Sequence, residues 1–113
     1  MAYYWEMDPF VAVAEPTRRR LLDELLHGES SVGQLVDRLG MNQPTISKHL
    51  RVLRDAGLVA SRVDAQRRCY RIQPAGLEAI DSWLAAYRRL WTGRLDALEA
   101  HLDHKESRVR RNH

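Results

Sequence analysis

The residues best suited to chemistry lie in 42–59, where polar and cationic side chains recur at helical spacing. One face of such a helix would be apolar, because residues three and four positions apart share a side. That face comprises Ile46, Leu50 and Leu53. The opposite face would supply an amide, a hydroxyl and two cations, from Gln43, Ser47, Lys48 and Arg51. These groups can rest on phosphates and reach nucleic-acid base edges. An ordinary amphipathic helix with a solvated polar face is the alternative interpretation.

Positive charge is concentrated around this segment. Residues 41–72 contain seven cations and two acids, a net charge of +5, whereas the whole chain of 113 residues has a net charge of +3. The seven cations are Lys48, Arg51, Arg54, Arg62, Arg67, Arg68 and Arg71. A local excess of this kind favours a polyanionic partner.

The polar face belongs to the second of two predicted helices joined by a tight turn. Asn42 is a typical N-cap, and Gly57 is typical of a left-handed residue that ends a helix. Before it, Ser30 or Ser31 is expected to cap a shorter helix that ends at Gly40. Two helices separated by a glycine turn, the second polar at its start, are typical of a helix-turn-helix.

A basic hairpin is predicted directly after these helices. Side chains alternate in 59–63 and again in 68–72, and residues 64–67 between them form a polar turn. A basic hairpin after a recognition helix is the wing of a winged helix. The expected fold class is mainly α with a small β-hairpin. It is a winged helix-turn-helix in the order α-α-α-α-β-β-α that dimerises through its terminal helices.

Two short helices are predicted near the start of the chain, beginning at Asp8 and at Pro16. The second carries three consecutive arginines, residues 18–20, close to its start, where the helix dipole disfavours them. We expect these arginines to pair with Asp23 and Glu24 or to face solvent. Contact with phosphate is the alternative.

A long helix is predicted over about residues 77–104, with apolar residues every three or four positions. This apolar stripe offers more surface than one small domain can cover. We therefore predict packing on the first helix and also a homodimer, with an interface comprising Leu84, Tyr87, Trp91, Leu95 and Leu98. Residues 1–104 are expected to form one domain, and 105–113 a disordered basic tail.

Composition and motifs exclude several classes of protein. No apolar run approaches the roughly 18 residues of a membrane span, and the N-terminus lacks the pattern of a signal peptide. A single cysteine, Cys69, suits a reducing cytoplasm. The five histidines show no catalytic spacing with Ser, Cys or Asp, and no Gly-rich phosphate loop is present. We expect no enzyme, no cofactor and no metal site.

Three stretches resemble the ArsR/SmtB-type winged-helix transcriptional regulators. They are Glu-Pro-Thr-Arg-Arg-Arg-Leu-Leu at 15–22, Ser-Val-Gly-Gln-Leu at 31–35, and 43–59, which contains Gln-Pro-x-x-Ser-x-His-Leu and Gly-Leu-Val. The resemblance covers about residues 8–102 and is to a subgroup without metal sensing. It implies a homodimeric repressor that binds a near-palindromic operator in double-stranded DNA and is released by a small-molecule effector.

The resemblance also implies which residues contact DNA. In the recognition helix they are Gln43, Thr45, Ser47 and Lys48 in the major groove, with His49 at its edge. In the wing they are Arg62, Gln66, Arg67 and Arg68. The chemistry agrees, because a glutamine can pair with adenine and a lysine can reach guanine acceptors. Arg51, Arg54 and the wing arginines would supply salt-dependent contacts to phosphate.

Three alternatives stay open at this point. His101 and His104, three positions apart, could hold Zn²⁺ with a partner's carboxylate, although histidines also suit a helix C-terminus. Metal-sensing relatives use a cysteine pair where residues 31–36 here contain neither Cys nor His. Cys69 lies among arginines that favour a redox-sensitive thiolate, and a buried inert thiol is its other interpretation. Finally, the aromatic residues at 3–5 and the last helix suggest a winged helix that acts as a protein-interaction module.

Overall fold

The elements follow the predicted winged-helix order, with one added strand. A computed structural model describes residues 6–111, with side chains as far as residue 102, so the aromatic residues at 3–5 lie outside it. The helices are α1 (Pro9–Val13), α2 (Pro16–Leu25), α3 (Val32–Leu39), α4 (Gln43–Asp55) and α5 (Pro74–Arg111). The strands are β1 (Ser30–Ser31), β2 (Val59–Asp64) and β3 (Arg67–Ile72). Residues up to Ile80 form one compact unit, and the rest of α5 forms a second.

Local caps set the ends of α3 and α4. Ser31 begins α3 with a reciprocal capping box, in which its hydroxyl accepts from the N–H of Gln34 and its N–H donates to the Gln34 side chain. The Asn42 side chain accepts from the N–H of Thr45 at 2.9 Å and begins α4. Gly40 and Gly57 both have positive φ, at +65° and +72°. These predicted boundaries are confirmed.

The apolar face of α4 lies in the hydrophobic core. Its three predicted members, Ile46, Leu50 and Leu53, are fully buried. They pack with buried leucines of α2 and α3 and of the turn after α4, namely Leu21, Leu35 and Leu58. Burial of an aliphatic side chain of this size contributes about 1.5–3 kcal/mol. These contacts hold α4 so that its polar face points away from the core.

The wing is a three-stranded antiparallel sheet in the order β1-β3-β2. β2 and β3 pair from Val59↔Ile72 to Asp64↔Arg67, and Ala65 adopts a φ of +57° at the turn. β1 adds the pairs Ser30↔Tyr70 and Ser31↔Cys69, which bury both serines. The prediction of a two-stranded hairpin missed β1 because two serines show no alternation. Cys69, in the central strand, is buried.

The helix α5 begins earlier and ends later than predicted. Gly76, which precedes the predicted start at residue 77, lies in the first turn of α5. Its N–H donates to the Gly57 carbonyl at 2.8 Å. At its other end α5 is helical to Arg111, through most of the expected tail. Residues 105–111 contain no Gly or Pro, and extending an existing helix costs little. Disorder of residues 105–113 in solution stays a prediction.

The junction of α1 and α2 corrects the expectation for the arginines. Arg18 is half-buried, and its Nε donates to the Ala12 carbonyl at 2.7 Å and its Nη2 to the Val11 carbonyl at 3.4 Å. Arg19 donates to the Val13 carbonyl at 2.7 Å. The expected pairing of Arg18 with Asp23 and Glu24, or its exposure to solvent, is therefore wrong. The Val11 carbonyl also accepts from the N–H of Ala14 at 3.2 Å. The other carbonyls at the end of a helix are left without helical partners and attract cations.

Candidate nucleic-acid interface

The outward face of α4 carries most of the residues predicted to contact DNA. Gln43, Lys48 and Arg51 are exposed, whereas Ser47 and Arg54 are partly buried. The first turn is rigid, because Asn42 caps it and Pro44 fixes one of its backbone angles. The polar side chains therefore project from a helix whose start and rotation are both determined.

A cleft of about 470 Å³ opens between α4 and β3. It is lined by Val32, Gln43, Ser47, Arg51, Arg54, Arg68 and Tyr70. Among residues 6–102, no ion pair joins Arg51 or Arg68 of this lining to an acidic side chain. The third arginine of the lining, Arg54, lies 3.7 Å from Asp55. The cleft can therefore accept an anionic group.

A second cleft of about 310 Å³ lies between the wing tip and the start of α3. Its lining comprises Ser31, Val32, Gly33, Gln43, Gln66, Arg67 and Arg68. Gln43 and Arg68 line both clefts, so together the clefts form one concave surface, which we call the cationic groove. The start of α3 was not predicted to take part, because Val32 and Gly33 carry no functional group that would signal a role.

The cationic groove unites seven of the eleven predicted contact residues and omits four. The seven are Gln43, Ser47, Arg51, Arg54, Gln66, Arg67 and Arg68. Lys48 is exposed on α4 outside the groove lining, and Thr45 is partly buried. Arg62 and His49, the remaining two, are engaged by other residues.

Arg62 is held by a carboxylate. Its Nη2 and Nε lie 2.7 and 2.8 Å from Oε1 of Glu29, in the loop before β1. The hydrogen bond from Arg62 lowers the pKa of Glu29 below its ordinary value of 4.5, and Glu29 in turn raises the pKa of Arg62. A phosphate would have to compete with Glu29 for this guanidinium.

His49 faces α2 rather than open solvent, with 17 % of its side chain exposed. Its Nδ1 lies 3.3 Å from Nη1 of Arg18 and 4.0 Å from Oε2 of Glu15. Partial desolvation raises the pKa of Glu15, but the backbone N–H of Arg18 and the neighbouring positive charges outweigh it, so the net pKa lies below 4.5. Direct contact of His49 with DNA stays a prediction.

Comparison with known proteins decides the family. The pattern of the family described as "Bacterial regulatory protein, arsR family" matches residues 15–61. The HTH-type transcriptional regulator Rv2034 of Mycobacterium tuberculosis is 41% identical over 81 residues, which cover 72% of this chain and 73% of that protein. This chain belongs to the ArsR family. Several further relatives are named repressors, and the chain spans about half the length of some of them.

Solved structures place the fold of this ArsR-family chain among winged helix-turn-helix regulators. A possible transcriptional regulator for arsenical resistance is 41% identical, with a TM-score of 0.65, covering 83% of this chain and 95% of the other. The homodimeric winged helix-turn-helix domain of Mb0332 from Mycobacterium bovis is 31% identical, with a TM-score of 0.57, covering 77% and 78%. The predicted family and fold class are confirmed.

Two further findings concern the ArsR-family chain as far as its structure describes it. In that part of the chain no helix is long and apolar enough to cross a membrane. The same part contains no group of three His, Cys, Asp or Glu residues that could hold a metal ion. The side chain of His104 lies outside it, so the His101/His104 pair is untested.

Proposed function

We propose that this regulator is a homodimeric repressor that binds a near-palindromic operator through α4 and the wing. The observation that carries the proposal is the cationic groove, in which four arginines of α4 and β3 line one concave surface together with Gln43, Ser47 and Gln66. A DNA backbone can enter such a groove while the start of α4 approaches base edges. The repressor names of several relatives support the sign of regulation.

We assign different roles to the two ends of this surface. Gln43 and Ser47 would hydrogen-bond bases, and exposed Lys48 would reach guanine acceptors or phosphate. Arg51, Arg54 and the wing residues Gln66, Arg67 and Arg68 would hold phosphates and make affinity depend on salt. Thr45, His49 and Arg62 remain predicted contacts. All three lie outside the groove lining: Thr45 and His49 are partly buried, and Arg62 is exposed but held by Glu29.

The apolar stripe of α5 supports the homodimer. Tyr87, Trp91, Leu95 and Leu98 are each 45–58 % exposed, and Leu84 is partly buried. A contiguous stripe of exposed aromatic and aliphatic side chains marks an interaction surface. The homodimeric Mb0332 domain, which has the same fold, favours a second copy as the partner. Two recognition helices related by a two-fold axis would read half-sites roughly 34 Å apart.

The proposal includes no enzymatic activity, cofactor or structural metal, in keeping with relatives named as regulators. We expect the chain to act in the cytoplasm, because its proposed target is DNA. Release by a small-molecule effector belongs to the proposal through the family resemblance.

The test is binding to DNA from upstream of the chain's own gene, measured by fluorescence anisotropy against a scrambled fragment at about 50 and 200 mM salt. We expect nanomolar affinity for the native fragment, loss of that affinity on scrambling, and a fall of orders of magnitude with salt. Equal, weak binding to both fragments would contradict the proposal. Addition of zinc in the same titrations tests the metal alternative.

A charge-reversal pair assigns the binding face. Lys48→Glu should abolish the preference for the native fragment and leave the thermal unfolding midpoint unchanged, because Lys48 is exposed. Arg20→Glu makes the same charge change at an exposed position of α2 and should retain the preference. Retained operator affinity in Lys48→Glu would move the site away from α4.

A further inference from the structure

Arg18 joins three helices through one guanidinium. Its Nε and Nη2 donate to the Ala12 and Val11 carbonyls of α1, while the residue itself lies in the first turn of α2. Its Nη1 lies 3.3 Å from Nδ1 of His49, in the middle of α4. In the segment before α1, as far as residues 6–8 describe it, the N–H of Met7 donates to the Asp55 carbonyl at the far end of α4.

The direction of the Arg18–His49 hydrogen bond follows from chemistry. A guanidinium has donors and no acceptor, so in this hydrogen bond Nη1 of Arg18 donates and Nδ1 of His49 accepts. Glu15 completes the arrangement, because its Oε2 accepts from the Arg18 backbone N–H at 3.0 Å and lies 4.0 Å from Nδ1. Arg18 is thereby fixed at both its backbone and its side chain.

The hydrogen bond between Arg18 and His49 matters for DNA binding because of where His49 lies in α4. His49 directly follows Ser47 and Lys48, which the proposed function assigns to base contacts, and precedes the buried Leu50. A restraint on the His49 ring therefore restrains the rotation of the recognition helix at the turn that meets DNA. Small errors in the placement of a recognition helix cost specific contacts more than phosphate contacts, because base edges demand exact donor and acceptor positions.

We propose that Arg18 is a positioning residue for sequence recognition, which acts through His49 and does not itself contact DNA. This inference rests on the proposed function. Arg18 has three of its donor nitrogens engaged inside the protein. It is also outside the lining of the cationic groove. Its loss should therefore lower affinity for the operator and leave non-specific binding intact.

The chain contains a matched control one residue away. Arg19 also caps the end of α1, through hydrogen bonds to the Val13 and Ala14 carbonyls, but the contacts described for it include none with α4. Arg19→Met therefore removes a charge and a cap of α1 while the link to α4 remains.

The experiment measures binding of native and scrambled DNA by the full chain and its variants at several salt concentrations. Arg18→Met and His49→Leu should each weaken binding to native DNA roughly tenfold, as expected for loss of a hydrogen bond to a charged group. Binding to scrambled DNA and the salt slope should not change. The double variant should lose roughly tenfold rather than a hundredfold, because both changes break one link. Arg19→Met should bind nearly as the parent chain does.

Several outcomes would overturn the inference. Parent-like affinity of Arg18→Met would do so, and so would equal losses on both DNAs with a salt slope reduced by about 0.9, which would make Arg18 a phosphate contact. A hundredfold loss in the double variant would show that the residues act independently. If Arg18→Met fails to fold, His49→Leu decides, since it leaves the caps of α1 in place. A parent chain without preference for native DNA would instead refute the proposed function.

Discussion

Glu29 and Arg62 form an ion pair that connects the two outer strands of the wing. Glu29 directly precedes β1, Arg62 lies in β2, and β3 runs between these strands. The Nη2–Oε1 distance is 2.7 Å, and in the sheet register Arg62 pairs with Cys69, which pairs with Ser31. The pair therefore ties the base of the wing to the loop that leads into the helix-turn-helix.

The stability contributed by this pair should depend on pH in a definite direction. The pKa of Glu29 is lowered in the folded chain, so the contribution is present above the unfolded value of about 4.5 and is lost as pH falls through the folded pKa. Glu29→Gln should therefore unfold at a slightly lower temperature than the parent at pH 7, and the two should converge once pH falls below the folded pKa of Glu29. Thermal melts of the parent and of Glu29→Gln across this pH range measure the difference in unfolding temperature. Glu78→Gln, which removes an exposed carboxylate outside the ion pairs described, is the control.

The two faces of β3 should contribute differently to DNA binding. Arg68 lies on the same strand face as Tyr70 and lines the cationic groove, whereas Arg71 lies on the opposite face. Arg68→Gln should reduce the slope of log affinity against log salt by about 0.9, the value for one lost phosphate contact, and Arg71→Gln should leave it unchanged. Salt titrations of both variants measure these slopes. Equal slopes in the two would show that the wing does not meet DNA through the face that carries Arg68.

Replacing two glycines of α5 by alanine should shift stability in opposite directions. A Cβ on Gly76 would lie 2.7 Å from the Ala56 carbonyl oxygen and 2.8 Å from that of Gly57. Because backbone must move, Gly76→Ala should destabilise the fold by about 1–3 kcal/mol. Gly93 has no neighbour within 4 Å of that position, so Gly93→Ala should stabilise the helix by about 0.5–1 kcal/mol. Urea denaturation distinguishes them, and a neutral Gly76→Ala would contradict the close packing.

The exposed stripe of α5 should determine the oligomeric state. Leu98→Glu places a charge in the proposed interface and should convert a dimer to a monomer at micromolar concentration, because an unpaired buried charge is costly. Sedimentation equilibrium measures the change in mass. Val63→Glu alters an equally exposed apolar residue in the wing and should leave the mass unchanged. If Leu98→Glu remains dimeric, the interface lies elsewhere.

Features determined by residues close together in the chain were predictable. The caps at Asn42, Gly40 and Gly57, the apolar face of α4 and the wing hairpin each depend on neighbours within a few positions. The candidate DNA-binding residues followed from the same helix periodicity and from the family resemblance. Seven of them line one groove. The apolar residues of the helix and of the hairpin must both face the shared core, so the two elements have few ways to pack.

What the sequence by itself determined is thus the five helices and the two-stranded hairpin, their order and the family. The tertiary structure decided which elements approach each other. It alone revealed β1, the contact of Gly76 with the turn after α4, the pairing of Arg62 with Glu29, and the engagement of Arg18 with His49. Each of these joins groups 19 to 40 positions apart. Such contacts carry no local periodicity, since they depend on where the packed core brings unsatisfied carbonyls, carboxylates and cations together.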